Sequence, residues 1–243
     1  MDSHSGTIDA GEAGFFGALA EDWWDPAGSS AMLHRINPLR LGYIRDAMIA
    51  RGRRPHARRI LDGLTALDVG CGAGLLTEPL ARMGACVTGI DAAPENVAAA
   101  TAHAPAGLDV TYRAVPVEVL AGEGATFDLV TCMEVVEHVA DRPAFLHSLR
   151  ALVAPGGTLI MSTPNRTPLS YATLIVGAEW ITRTIPRGAH DWKKFVTPDE
   201  LSAELTTAGF AVTGVTGMTW RPGTGFTLGR DTSVNYYLTA VPA

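Results

Sequence analysis

The 243-residue sequence is poor in cysteine, and it lacks the segments that carry a chain into or across a membrane. Its three cysteines, Cys71, Cys86 and Cys132, are an odd number without a C-x-x-C pair, so neither a disulfide framework nor a zinc knuckle is expected. The polar, acidic residues 1–14 do not form a signal peptide. The uncharged apolar segment 167–178 is 12 residues long, whereas spanning a bilayer takes roughly 20. We therefore expect a cytoplasmic protein.

Positive charge is also scarce. The formal net charge is −6 and the sequence pI is about 5.6, which argues against a nucleic-acid partner. The basic residues are unevenly distributed, because five of the 19 fall within residues 51–59 and four within residues 183–194. These two segments are the only places where an anionic surface would meet a concentration of positive charge.

The composition is that of an ordinary globular domain, with 47% hydrophobic and 18% charged residues. We expect residues 1–14 to be a disordered tail and residues 15–243 to form a single domain. Short apolar segments alternate there with segments of helical periodicity, which predicts βαβ units and a parallel sheet. Strands are predicted at 66–69, 86–90, 110–114, 127–133 and 158–162, and helices at 75–83, 94–103 and 142–152.

The two ends of this pattern depart from simple alternation. Asn37 followed by Pro38 predicts the start of an N-terminal helical lead-in, with Asn37 as its N-cap. Residues 163–196 interrupt the alternation with an inserted apolar lid segment, and segments 210–216 and 234–240 then close the sheet as a β pair. The predicted fold is Rossmann-like, an α/β domain with a mostly parallel twisted sheet and helices on both faces.

The most informative segment is Ala-Leu-Asp-Val-Gly-Cys-Gly-Ala-Gly at residues 66–74. A strand runs into a glycine-rich loop and a helix follows, so the free N–H groups of that helix would point at a ligand. The loop glycines are Gly70, Gly72 and Gly74. A dinucleotide site would have the spacing G-x-G-x-x-G, and Asp68 would repel a pyrophosphate but attract an amino group. Asp91, at the end of the second strand, suits the hydroxyls of a ribose.

This order of strand, D-V-G-C-G-x-G loop, helix and acid-terminated strand resembles motifs I and II of the class I S-adenosylmethionine-dependent methyltransferases. The resemblance implies S-adenosyl-L-methionine as the cofactor rather than a nicotinamide. It places the adenine near Val117, between the third and fourth strands. Met133 is at the carboxyl end of the fourth strand, which faces the ligand crevice, and would pack on the methionine part of the cofactor.

Further segments narrow the resemblance. They are L-H-R-I-N-P-L-R-L-G-Y-I at 33–44, C-M-E at 132–134, V-G-A-E at 176–179, H-D-W-K-K-F at 190–195 and V-N-Y at 234–236. With them the chain, from about residue 23 to residue 237, resembles the ubiquinone-biosynthesis O-methyltransferase family, whose members methylate a polyprenyl-hydroxyphenol and a demethylubiquinol. The resemblance implies cofactor contacts for Arg40, Gly70, Asp91 and Met133.

Glu134, Glu137 and His138 follow the fourth strand. If this segment is helical, their spacing puts them on one face, where two carboxylates and an imidazole could bind Mg²⁺. A metal held by both oxygens of a catechol would lower its pKa and fix its orientation. Two other interpretations stay open, namely His138 as a general base and a purely structural cluster. His190 is a second candidate base.

The inserted segment predicts contact with an anionic membrane surface through about residues 165–187. Apolar residues share one helical face, and arginines flank it: Leu169, Ala172, Ile175, Val176 and Trp180, with Arg166, Arg183 and Arg187. An interfacial helix of this kind would let a polyprenyl tail stay in the bilayer. We therefore expect peripheral association with the inner face of the membrane. The alternative is a buried cap helix without lipid contact.

The leading hypothesis is O-methylation of a catechol-type hydroxyl on polyprenylated ubiquinone precursors. One alternative is methylation of a small soluble phenol by the same fold. Another is a catalytically silent cofactor-binding scaffold within a quinone-biosynthesis complex. Loss of turnover in Glu137→Ala or His138→Ala with cofactor binding retained would exclude the scaffold.

Overall fold

The computed structural model describes residues 7, 14, 23–28, 30–54, 59–175 and 191–243. The helices in this part of the chain are α1 Ala31–Ala50, α2 Thr77–Arg82, α3 Pro94–His103, α4 Val117–Gly122, α5 Arg142–Leu152, α6 Pro168–Ser170 and α7 Pro198–Thr207, with 3₁₀ turns at Val136–His138 and Trp192–Lys194. The strands are β1 Thr65–Val69, β2 Cys86–Asp91, β3 Val110–Ala114, β4 Phe127–Met133, β5 Val153–Pro164, β6 Phe210–Arg221, β7 Gly225–Gly229 and β8 Asn235–Pro242.

The strands form one sheet in the order β3-β2-β1-β4-β5-β8-β6-β7. Strands β1 to β5 are parallel to one another, whereas β8 pairs antiparallel with both β5 and β6, and β6 pairs antiparallel with β7. The chain moves outward from β1 to β3 on one side and then returns to lay β4 and β5 on the other. The order therefore reverses between β1 and β4, and ligands of open α/β sheets bind outside the carboxyl ends of the strands at such a point.

The sheet is covered on both faces because successive strand residues point to opposite sides. One face packs mainly under α5 and α7, through Leu67, Val130, Leu159, Phe145, Leu149, Leu201 and Leu205. The other packs mainly under α1 and α2, through Ala66, Leu129, Ile160, Ile44, Met48, Leu80 and Tyr237. Asp68 alternates with Leu67 along β1, so it faces the side that α1 covers.

The predicted Rossmann-like architecture is confirmed, including the mostly parallel sheet and the antiparallel pairing of β6 with β8. Two elements differ from the prediction. Helix α4 was not predicted, because its six residues are too few for a helical period to show. Strand β6 continues to Arg221 and turns into β7, so the sheet ends in a hairpin.

The predicted start of α1 at Asn37 is wrong. The helix begins at Ala31 after the N-cap Ser30, and Pro38 lies inside it. The Asn37 side chain does not cap the helix, since its Nδ2 donates to the Leu75 carbonyl at 2.7 Å. Asn37 thus joins α1 to the segment that follows the glycine-rich loop.

Two predicted segments are described only in part. Of residues 1–14, Thr7 is buried, with its N–H donating to Glu118 Oε1 at 2.8 Å and its carbonyl accepting from the Ala140 N–H at 2.7 Å. Of the insertion at 163–196, residues 176–190 lie outside the described part of the chain. No helix among the described residues is both long and apolar enough to cross a bilayer.

Candidate active site

The glycine-rich loop between β1 and α2 lies at the switch point of the sheet. Its three glycines have φ values of +70° (Gly70), +52° (Gly72) and +89° (Gly74). These lie in the left-handed region, which residues with a Cβ rarely adopt. Neighbouring groups also fill the space that a Cβ would need, since the nearest atoms belong to Val135 at Gly70, Trp23 at Gly72 and Tyr112 at Gly74, each 2.3–2.4 Å from the Cβ position. Backbone conformation and close packing therefore both require glycine here.

Asp68 is buried at the end of β1, with 2% of its surface exposed. Its two carboxylate oxygens accept hydrogen bonds from Thr77 Oγ1 and Thr131 Oγ1, both at 2.7 Å. Burial raises the pKa of Asp68 to about 6, although these hydroxyl groups and the charge of Arg40 lower it. The site therefore holds a carboxyl group that an added positive charge would stabilise in its ionised form.

Asp91 ends β2 and ties the loop to α3. Its Oδ2 accepts from the Gly72 N–H at 2.9 Å, and its Oδ1 accepts from the Ala93 N–H at 2.9 Å and from Asn96 Nδ2 at 3.2 Å. Burial raises the pKa of this carboxyl group, against the lowering effect of the hydrogen bonds. Through these hydrogen bonds Asp91 fixes the loop against the start of α3.

Arg40 reaches the same region from α1 and is only 5% exposed. Its Nη2 lies 3.9 Å from Glu134 Oε1, and within the described structure neither Nε nor Nη2 has a hydrogen-bond partner. A buried guanidinium normally has its donors satisfied. The free Nε and Nη2 fit a carboxylate of a ligand, which an arginine can hold by two parallel hydrogen bonds.

Glu134 immediately follows β4 and has a φ of 57°, the only positive value for a non-glycine residue in the described chain. Its carboxylate accepts from Ser162 Oγ at 2.5 Å and from Asn235 Nδ2 at 3.0 Å. Glu134 is outside the 3₁₀ turn that contains Glu137 and His138. The prediction that these three residues share one helical face is therefore wrong.

Glu137 is the most deeply buried acid of this group, with 2% of its surface exposed. Thr163 Oγ1 donates to its Oε2 at 2.9 Å, while its Oε1 has no partner among the described residues. Burial, and next the charge of Glu134, raise the pKa of Glu137 well above its usual value. Glu137 thus keeps its proton to a higher pH than an exposed glutamate does. His138 is half-buried beside it.

Comparison with known proteins accounts for this combination of loop and charges. A family model described as a methyltransferase domain matches residues 41–215. The ubiquinone biosynthesis O-methyltransferase of Methylobacterium sp. (strain 4-46) is 50% identical over 237 residues, which are 96% of this chain and 95% of the relative. That of Cereibacter sphaeroides (strain ATCC 17029 / ATH 2.4.9) is 48% identical over 241 residues, 98% of each chain.

The chain belongs to the ubiquinone biosynthesis O-methyltransferase family. It is accordingly an S-adenosylmethionine-dependent O-methyltransferase. Solved structures support the fold, since magnesium protoporphyrin IX methyltransferase from Synechocystis PCC 6803 with bound SAH superposes with a TM-score of 0.66 at 24% identity, over 95% of this chain and 94% of that one. The same enzyme with bound SAM gives a TM-score of 0.64 at 21% identity, over 95% of each chain.

The methyltransferase site fits its cofactor better than it fits the expected magnesium ion. The unpartnered donors of Arg40 would fit a carboxylate such as that of S-adenosylmethionine, and the carboxyl group of Asp68 would fit an amino group. For Mg²⁺, no three His, Cys, Asp or Glu side chains among the described residues, Glu134, Glu137 and His138 included, form a metal-binding group. Instead, the two carboxylates accept hydrogen bonds from Ser162, Asn235 and Thr163.

The remaining predicted residues of the methyltransferase site lie at the end of a strand, at the start of a helix or outside the described chain. Met133 ends β4 with 7% of its surface exposed, and Val117 starts α4 with 1% exposed. His190 is outside the described residues. Near the loop, burial raises the pKa of Cys71 and of Cys132 well above the usual thiol value, so these thiols stay protonated.

Sequence reasoning missed the hydroxyl and amide side chains that hold the acids in this family member. The position of Thr131 could have been predicted. The β1–β4 register places Thr131 directly opposite Asp68, and alternation along β4 then determines which face of the sheet its side chain is on. Thr163, Ser162 and Asn235 require the β5–β8 pairing, which no local pattern gives. No periodic pattern in the sequence indicated that Trp23 lies at this site.

We predict that Gly70→Ala weakens binding of S-adenosylhomocysteine at least about tenfold, because a Cβ would lie 2.4 Å from Val135 Cγ2 and would displace the loop. Gly63→Ala is the matched control, since Gly63 has a similar φ of +75° with nothing within 4 Å and thus carries only the cost of the left-handed backbone. Titration calorimetry measures both affinities. Wild-type affinity in a folded Gly70→Ala protein would contradict the prediction.

Replacing Asp68 should change how stability depends on pH. The pKa of Asp68 is about 6 in the fold and about 3.9 in an unfolded chain, so its ionisation destabilises the cofactor-free protein as pH rises through this window. Asp68→Asn removes that contribution. The free energy of unfolding of Asp68→Asn minus that of wild type should therefore increase by about 2 kcal/mol between about pH 4.5 and pH 7.5.

Urea unfolding at the two pH values measures this difference. Asp46→Asn is the control, because the Asp46 side chain is 65% exposed and its replacement should leave the pH dependence nearly as in the wild type. A difference between Asp68→Asn and wild type that is the same at both pH values would show that the Asp68 carboxyl titrates normally.

Proposed function

We propose that this enzyme methylates a catechol-type hydroxyl of polyprenylated ubiquinone precursors, both a demethylubiquinol and a polyprenyl-hydroxyphenol. The observation that carries the proposal is the relationship at about half identity over nearly the whole length to ubiquinone biosynthesis O-methyltransferases. A methyltransferase of a small soluble phenol is disfavoured by the exposed apolar side chains at the start of the insertion, Leu169 and Tyr171, which are 50% and 47% exposed.

In the proposed complex, the carboxylate and the ammonium group of S-adenosylmethionine each contact a side chain of opposite charge. Arg40 holds the methionine carboxylate with the two nitrogens that lack a protein partner. Asp68, with its raised pKa, becomes ionised next to the ammonium group. Asp91 lies against the ribose in this complex, while Val117 and Met133 pack against the adenine and the methionine chain. Bound S-adenosylmethionine supplies an electrophilic methyl group.

Transfer requires the acceptor hydroxyl to lose its proton. In the proposed reaction the phenol oxygen attacks the methyl carbon, the bond from this carbon to sulfur breaks, and S-adenosylhomocysteine is released. The phenol proton passes to His138, because an imidazole can act as a general base. Glu137 is a positioning residue in this account, because its carboxyl group is buried against Thr163. In this proposal the proton acceptor is His138 and not a metal-bound group.

The general base is tested with His138→Asn, an isostere that cannot accept the proton. We predict a fall in kcat of about 10² to 10⁴ with an unchanged dissociation constant for S-adenosylhomocysteine. The control is His147→Asn, an exposed histidine of α5. Methylated product from a short-tailed demethylubiquinol is followed by mass spectrometry.

Two results would contradict this assignment. Full turnover in His138→Asn would transfer the base role elsewhere, His190 being the next residue to replace. Turnover that is lost with chelator and restored by Mg²⁺ would show that a metal activates the catechol. Absence of turnover in wild type with cofactor bound would instead contradict the quinol substrate, and the same assay would then be run with soluble catechols.

We also propose that the enzyme works at the inner face of the membrane, as a peripheral protein and within a quinone-biosynthesis complex. Leu169 and Tyr171 expose apolar surface next to β5, whose end lies at the carboxyl edge of the sheet. The 3₁₀ turn Trp192–Lys194 adds two lysines where the insertion ends. Apolar contact combined with attraction of anionic headgroups is the usual basis of interfacial binding.

Sedimentation with vesicles tests the membrane proposal. Wild type should bind vesicles that contain anionic lipid at low salt, with binding reduced by salt. Leu169→Asp should lower the bound fraction severalfold, whereas Val215→Asp, at an apolar side chain 40% exposed on β6, should not. No binding of wild type at low salt, or equal losses in the two variants, would contradict a membrane contact through the insertion.

A further inference from the structure

We infer that Trp23 closes the cofactor site, by laying its indole ring over the glycine-rich loop and donating its N–H to bound S-adenosylmethionine. Trp23 precedes α1 and lies far from the loop in sequence. It belongs to none of the motifs that define the cofactor site, and its ring covers the loop at Gly72.

The indole lies directly on the loop. Two of its ring carbons, Cη2 and Cζ3, are 2.3 Å and 2.4 Å from the position that a Cβ would occupy on Gly72. The backbone N–H of Gly72 is bound by Asp91 at 2.9 Å. The Trp23 ring therefore lies beside the carboxylate proposed for the ribose, within the set of groups that surround the cofactor.

The polar atom of the indole is left without a partner. Trp23 Nε1 is buried, and the described residues offer it no acceptor. An indole nitrogen can only donate, and a buried donor without a partner is unfavourable. S-adenosylmethionine carries acceptors on its carboxylate, its ribose and its adenine, so its binding would satisfy this N–H.

The indole N–H of the neighbouring Trp24, unlike that of Trp23, has a hydrogen-bond acceptor, and the contacts of Trp24 explain how Trp23 is held in place. Trp24 Nε1 donates to the Ala73 carbonyl at 2.9 Å, and its ring stacks on His103 with 3.4 Å between centroids and 8° between planes. His103 is fixed in turn by the buried Glu78, whose Oε1 lies 2.7 Å from its Nδ1. Trp24 thus anchors the segment to the loop.

The backbone of Trp23 is held from the other side. His34 of α1 donates from Nε2 to the Trp23 carbonyl at 2.9 Å. With Trp24 anchored to the loop and its own carbonyl bound to α1, Trp23 has its position fixed before a ligand arrives. Such preorganisation lowers the entropy that binding would otherwise lose.

Titration calorimetry with S-adenosylhomocysteine tests this inference. Trp23→Phe keeps a ring over Gly72 and removes the N–H, so the dissociation constant should rise about three- to tenfold. Trp23→Ala removes the cover as well and should raise it further. The control is Trp220→Phe, at a tryptophan 58% exposed on β6, which should bind like wild type. Thermal unfolding without ligand verifies that each variant is folded.

A spectroscopic measurement on wild type gives an independent answer. The indole ¹⁵N–¹H resonance of Trp23, assigned by its absence in Trp23→Phe, should shift when S-adenosylhomocysteine is added. Unchanged affinity in both Trp23 variants, or an unshifted resonance, would overturn the inference. Tighter binding in Trp23→Ala would also overturn it, since the ring would then block the site.

Discussion

A single buried arginine surrounded by buried acids is the constraint on which the rest of the site depends. Arg40 is next to Glu134, and its charge acts on the carboxyl groups of Asp68 and Glu137. Burying an ion costs several kcal/mol unless it is paired, and here one cation stands against three acids. Burial raises the pKa values of Asp68 and Glu137, and the charge of Arg40 lowers them only in part. A ligand with its own ammonium, sulfonium and carboxylate groups would supply the missing partners.

The fold brings these groups together through long-range pairings. Helix α1 contributes Arg40, β1 contributes Asp68, and the segment after β4 contributes the two glutamates. The donors that hold the two glutamates come from β5 and from the first residue of β8, which pair at the same edge of the sheet. Because each strand ends at the switch point, an error in register at any of them would misplace one member of the charge cluster.

The sequence was sufficient for those parts of the site that local pattern determines. The D-V-G-C-G-x-G loop and the acid at the end of β2 are consecutive with their strands, so their place followed from the parallel βαβ order. The arrangement of Glu134, Glu137 and His138 could not be predicted, because the left-handed backbone of Glu134 depends on the strand ending where it contacts β5. The partners of Asn37 and Trp23 are likewise set by tertiary contacts alone.

We propose that Arg40 recognises the carboxylate of the cofactor. The direct measurement is the ratio of dissociation constants for S-adenosylmethionine and its decarboxylated analogue, taken by calorimetry in wild type and in Arg40→Gln. The two ligands differ only in that carboxylate. We predict that wild type binds S-adenosylmethionine about tenfold or more tightly than the analogue. In the variant the ratio of the two dissociation constants should fall towards one. An equal ratio in both proteins would contradict it.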